Sequence, residues 1–175
     1  MNSLAPLPTL NNNEALSLGY CFIGLVIAEC AKVDQWATKL LMTTESEAEP
    51  PRLFGEKLKA VRLLAERGKA SPDTATLADA TAVLDFLRRF EPYADLRSRL
   101  AHSVVTYAMR NDGYVFVYDP LDRKRYAWPI ALSEAGQIEI SSEIRRLVRK
   151  LTREGKREAK PPAPPQPKQA AAACP

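Results

Sequence analysis

Arg97-Ser98-Arg99-Leu100-Ala101-His102 contains the one histidine of a 175-residue chain. An imidazole takes and gives protons near neutral pH, and a guanidinium five residues upstream can grip a phosphate through parallel hydrogen bonds. Together they form a minimal kit for cleaving a phosphodiester by acid–base chemistry. Ser98 adds a hydroxyl able to orient either group. Plainer roles are open to the same residues. A histidine at a helix C-terminus can serve the last carbonyls. Arg99 follows Asp95 by four residues, the spacing of an ordinary ion pair on a helix face, and Arg97 can be solvated.

Helix geometry constrains the chemical option. Five residues of regular helix turn through about 500°, which leaves Arg97 and His102 about 140° apart and about 7.5 Å apart along the axis. Either the helix ends before His102, or a second copy of the chain completes the site.

The elements that must position this hexapeptide read as helices before it and strands after it. Residues 1–12, with Pro6, Pro8 and an asparagine run, form a loose lead-in. One long helix is expected from Asn13 to about Thr44. It is apolar almost all round at first, then amphipathic through Val33, Trp36, Ala37, Leu40 and Leu41. The prolines of ESEAEPPR (45–52) break it. A second helix spans about Phe54 to Arg67, with Gly68 as its stop. Ser71-Pro72-Asp73 opens a third, with Leu77, Ala80, Val83, Leu84, Leu87 and Phe90 apolar. Pro92 interrupts that helix and starts a short one bearing the hexapeptide, with Tyr93, Leu96 and Leu100 at helical spacing.

The period then switches to alternation. VVTYAM and YVFVY, joined through Arg110-Asn111-Asp112-Gly113, predict a hairpin. Asp119-Pro120 marks another turn, and RKRYAWPI adds a third strand that Pro129 confines to an edge. Ser141 or Ser142 starts a last helix, Ile144 to about Arg153. The fold class expected is mainly α, a helical bundle with a small antiparallel β segment at about 103–130. It forms one domain over 13–154, followed by a disordered Pro/Ala-rich tail over 155–175.

The composition is that of a soluble globular protein, 46% hydrophobic and 26% charged. Leu16 to Ala28 is too short an apolar run to span a bilayer comfortably, and no basic residue precedes it. A buried first helix, a cytoplasmic chain and no membrane partner are therefore expected. The three cysteines lack metal-ligand spacing and their odd number suits a reducing compartment, so neither a metal nor a cofactor is expected. No Gly-rich phosphate loop, GxSxG or HExxH occurs, which leaves hydride, kinase and serine-hydrolase chemistry unsupported. The net charge of +4 is concentrated: Arg145 to Lys160 holds eight basic residues and two acids. Only that segment could serve as a basic nucleic-acid platform; an ordinary solvated helix face explains it as well. Trp36 and Trp128 read as core or lid residues. Tyr107, Tyr114, Tyr118 and Tyr126 read as hairpin packing, with base stacking on one face as the other option.

RSRLAHS, following FLRRFEPYADL and preceded by GEKLKAVRLLAERG, resembles the HEPN superfamily of small helical-bundle proteins, whose hallmark is Arg, four to six residues, then His, often R-N-x-x-A-H. Arg97, Ala101 and His102 match; Ser98 stands where Asn, Asp or His is usual. The resemblance extends over about residues 14–150. It implies a homodimer whose paired motif helices share one cleft, and a metal-independent endoribonuclease of toxin or phage-defence type. In that reading Arg97 holds the phosphate, His102 is general base or acid and Ser98 assists, with RNA as substrate and an antitoxin or other protein as a possible partner. Many members lack nuclease activity, so the resemblance equally accommodates a non-catalytic interaction module. An adaptor binding nucleic acid through Arg145 to Lys160 is the third reading.

Overall fold

The computed structural model describes residues 11–44, 49–70, 73–110 and 113–158. Residues 1–10 of the expected lead-in, residues 159–175 of the expected tail with Cys174, most of the acidic stretch before Glu49, the Ser71-Pro72 start signal and the Asn111-Asp112 turn pair lie outside these residues. Over the described residues the chain is mainly helical, with four helices and one three-stranded antiparallel sheet. Their order is α1 (Asn12–Thr44), α2 (Phe54–Lys69), α3 (Thr74–Leu100), β1 (Ser103–Arg110), β2 (Gly113–Pro120), β3 (Ile130–Ser133) and α4 (Glu134–Glu158).

α1 begins at a reciprocal cap. Asn11 Oδ1 accepts from the Glu14 N–H at 3.0 Å, while the Asn11 N–H donates to Glu14 Oε2 at 2.8 Å. Its inward face repeats at helical spacing through Ala15, Gly19, Phe22, Val26, Cys30, Val33, Ala37 and Leu41. The first part of that face joins α3, the sheet and α4 in a core of Phe90, Leu100, Val105, Phe116, Tyr118 and Ile144. The last part, Ala37 and Leu41, packs with Val61 of α2 and Leu87 of α3. Gly19 is where helix and sheet approach most closely: a Cβ there would lie 2.6 Å from Val105 Cγ1. At 33 residues α1 also has the length and hydropathy of a membrane-crossing helix, a measure that the core helices of soluble proteins meet too.

Four helix boundaries differ from those expected, one of them the end of α4, which runs to Glu158 rather than to about Arg153. α3 does not break at Pro92; it runs unbroken to Leu100. A proline inside a helix costs about 3 kcal/mol, yet Leu87 and Phe90 before it and Leu96 and Leu100 after it all pack into the core, which holds both halves on one axis. Gly68 lies inside α2, which ends instead at Lys69; Ala70 caps it, its N–H reaching the carbonyls of Arg67 and Gly68. α4 starts at Glu134 rather than near Ser141, because Ser133 Oγ accepts from the Gly136 N–H at 3.1 Å and caps it.

The hairpin has the expected strands, closed by the pair Arg110↔Gly113, with Gly113 at φ 123, a conformation that suits glycine. β3 pairs with β2 from Tyr118↔Ile130 to Val115↔Ser133, so it occupies the edge but begins only after Pro129. RKRYAW is loop, a correction with a consequence for the site. Tyr114 and Tyr118 are buried, and Tyr107 packs on Tyr114 and Phe116, so hairpin packing accounts for them. Burial pushes the Tyr118 phenol well above its usual range, and its hydroxyl has no hydrogen-bond partner among the described residues. An unmet buried hydroxyl is costly. Tyr118→Phe is therefore expected to raise stability by about 1 kcal/mol in urea denaturation; a loss of that size would reveal a partner for the hydroxyl.

Candidate functional site

α3 ends at Leu100, and Ala101-His102 form the tight turn into β1. Of the two arrangements that helix geometry allows, the chain adopts the one in which the helix stops before His102. The Ala101 N–H closes the last turn on the Arg97 carbonyl at 3.0 Å, and the His102 N–H reaches the Arg99 carbonyl at 3.3 Å. The main chain, not the imidazole, thus serves the helix end. The ring is exposed and makes no hydrogen bond among the described residues.

Arg97 and Ser98 are half-buried on α3 and open, with His102, onto one groove of about 560 Å³ between α2 and α3. The Arg97 guanidinium carbon lies 6.0 Å from the centre of the Phe54 ring, a cation–π contact at the groove floor. Behind it sits Cys30, whose thiol burial pushes up to about 12; the positive charge of Arg97 opposes that rise and the negative charge of Glu29 adds to it. Phe54 is itself held edge-on to Phe90, which stacks on Phe86, so the groove floor is continuous with the aromatic core. Lys59, Arg62 and Arg125 add positive charge to the walls, and Glu56, Glu91 and Asp95 add negative charge. Arg62 spends its charge on Glu91 at 3.1 Å. Among the described residues, Arg97, Lys59 and Arg125 have no carboxylate partner, and all three line the groove.

Arg99 departs from expectation. It does not pair with Asp95. Its Nη2 donates to the Trp128 carbonyl at 2.8 Å, and its guanidinium stands over the Tyr126 ring at 5.9 Å. Arg99 is therefore a strut between the end of α3 and the loop that joins β2 to β3. That loop is tied at its other end as well: the Leu121 N–H donates to the His102 carbonyl at 2.8 Å. A second depression, about 390 Å³, lies between Leu121, Asp122 and Tyr126, and shares His102 and Arg125 with the groove. Arg125, Tyr126 and Trp128 are the site's neighbours that sequence reading placed in a strand. Asp122, whose carboxylate caps the loop amides, was the available signal of a turn there.

Among the described residues no three His, Cys, Asp or Glu side chains converge as a metal-binding group. Trp36 lies in the core against Phe86, and Trp128 is 78% exposed on the loop. The chain matches no protein-family model, no curated protein and no solved structure.

Proposed function

We propose that this chain is a HEPN-like, metal-independent endoribonuclease of the cytoplasm. The observation that carries the reading is the common groove: Arg97, Ser98 and His102, adjacent in sequence but split by a helix end, all open onto it. The His102 ring, exposed and without a hydrogen-bond partner among the described residues, is free to take the proton of a ribose 2′-hydroxyl. The 2′-oxygen then bonds to phosphorus as the bond to the 5′-oxygen breaks, and that oxygen leaves with the proton that the imidazolium of His102 gives back. The products are a 2′,3′-cyclic phosphate and a 5′-hydroxyl. Arg97 neutralises charge growing on the phosphorane oxygens, and its perch on Phe54 fixes where that charge must sit. Ser98 orients the phosphate or the ring. Growth arrest on expression, as for a toxin or phage-defence protein held in check by an antitoxin, belongs to the same reading.

The test is purified protein with a mixed RNA pool in EDTA, beside Arg97→Ala and His102→Ala. Cyclic-phosphate ends produced by the parent alone support the proposal; intact RNA with a folded parent protein counts against it. DNA, which lacks the 2′-hydroxyl, should remain uncut.

A composite dimer site belongs to this proposal, although the helix end at Leu100 removes the geometric need for a second copy. What supports a dimer is the outer face of α1, where Leu18, Tyr20, Cys21, Gly24 and Ala28 are exposed without a charge among them. Tyr20→Glu is expected to convert a dimer into a monomer by light scattering; a parent protein already monomeric at high concentration would sink the dimer.

The groove also favours a second reading, a non-catalytic interaction module. Three carboxylates line it beside the cations, and Arg97 already has an aromatic partner. In that case Arg97 and His102 persist for structure. Nucleic-acid binding by the basic segment from Arg145 is the third reading, and loss of salt-dependent affinity on truncation after Leu151 is its mark.

A further inference from the structure

The loop over residues 121–129 projects beside His102 and carries features that packing does not explain. Trp128 is 78% exposed and Leu121 73% exposed, although both flank the candidate site. The loop is nonetheless fixed at several points. Leu121 is bonded to the His102 carbonyl, and the Trp128 carbonyl to Arg99. Asp122 accepts the amides of Lys124 and Arg125 at 3.1 and 3.2 Å, and its own carbonyl takes the Tyr126 N–H at 3.0 Å. Arg123 is neutralised by Asp119 at 2.7 Å, whereas Lys124 and Arg125 have no carboxylate partner among the described residues. Two guanidinium groups, Arg99 and Arg125, already stand over Tyr126, which leaves Trp128 as the ring open to a ligand.

We infer that this loop is a platform for single-stranded RNA, on which Trp128 stacks one unpaired base while Lys124 and Arg125 hold the flanking phosphates. The ligand class follows from what is placed together. A planar ring held on a tethered loop loses little freedom on binding, and its face suits any base that is not already stacked in a duplex. Two unpaired cations beside it fit a phosphate backbone. Arg125 lines the groove of Arg97 and His102 as well as the neighbouring depression, so a strand stacked on Trp128 has a charged path to the candidate reacting groups. A lipid surface would also take up an indole and cations, and phosphatidylserine vesicles in the test distinguish the two. The inference takes RNA as ligand from the proposed nuclease reading, but it concerns binding, which can be measured apart from cleavage.

The probe is a fluorescein-labelled 2′-O-methyl oligouridine of twelve nucleotides, which has no free 2′-hydroxyl and cannot be cut by the proposed route. Anisotropy with the full chain should show saturable binding that weakens with salt. Trp128→Ala should weaken it at least fivefold. Lys124→Ser with Arg125→Ser should lower the log–log salt slope by about 1.4. The matching duplex should bind at least fivefold more weakly than the single strand. Equal binding by Trp128→Ala, equal binding of the duplex, or uptake by phosphatidylserine vesicles without oligonucleotide binding would each overturn the inference. Its fate and that of the nuclease reading separate cleanly. Binding lost in Trp128→Ala with no RNA ever cleaved keeps the platform and removes the nuclease. Cleavage whose KM is unmoved by Trp128→Ala keeps the nuclease and removes the platform.

Discussion

His102→Ala is expected to lower RNA cleavage by about a hundredfold to ten-thousandfold, the range that a positioned general acid or base supplies, while leaving the urea midpoint unchanged. The second half of that expectation follows from the structure. The imidazole is exposed and makes no hydrogen bond among the described residues, and both contacts of the residue, to the Arg99 carbonyl and from the Leu121 amide, belong to the main chain. Alanine preserves them. Parallel measurement of cleavage and of denaturation therefore distinguishes the readings. Lost activity at full stability supports the acid–base role. A loss of about 0.5–1 kcal/mol with nothing to cleave would instead point to a charged residue serving the helix dipole. Arg97→Lys sharpens the outcome, because an ammonium keeps the charge but lacks the planar fork; cleavage by this variant should lie well below the parent.

Phe90→Ala is expected to destabilise the chain by about 3–5 kcal/mol, a large share of the 5–15 kcal/mol that holds a typical domain. Phe90 is fully buried, stacks on Phe86 at 5.4 Å and 16°, and meets Phe54 at 6.4 Å and Tyr93 at 6.2 Å. The damage should also travel: Phe54 leans on Phe90 and carries Arg97, so the groove floor loses its support. Guanidinium or urea denaturation reads the stability. A loss below 1 kcal/mol would show that the aromatic cluster can close over the gap and does not govern the fold.

The helices and the hairpin were legible because each carries its own local signal. Apolar residues every three or four positions mark α1 to α3, and alternation on either side of Arg110 to Gly113 marks β1 and β2. The candidate site was legible as a hexapeptide, since Arg97 and His102 are joined by spacing alone. Features that depend on partners distant in sequence were not. The Arg99 bond reaches across 29 residues to a carbonyl, which no side-chain pattern announces, and a helical neighbour four positions away gave the more obvious partner. Pro92 misled for a related reason. Its intrinsic cost is local, whereas the packing that outweighs it comes from α1 and α2. The start of α4 was hidden because Ser141 and Ser142 offer the same kind of start signal, while the hydroxyl that caps the helix is that of Ser133.

The two ties between the helix end and the loop set the size of the portable unit. A hexapeptide grafted onto the end of another helix would carry Arg97, Ser98 and His102 in order, but the His102 carbonyl and the Arg99 fork would face solvent, and no ring-bearing loop would arrive with them. The smallest contiguous transplant that keeps both ties runs from Arg97 through the β1–β2 hairpin to Trp128, and its recipient must supply a ring in the place of Phe54. An engineer moving this chemistry, or a genome rearranging it, would have to move that stretch whole.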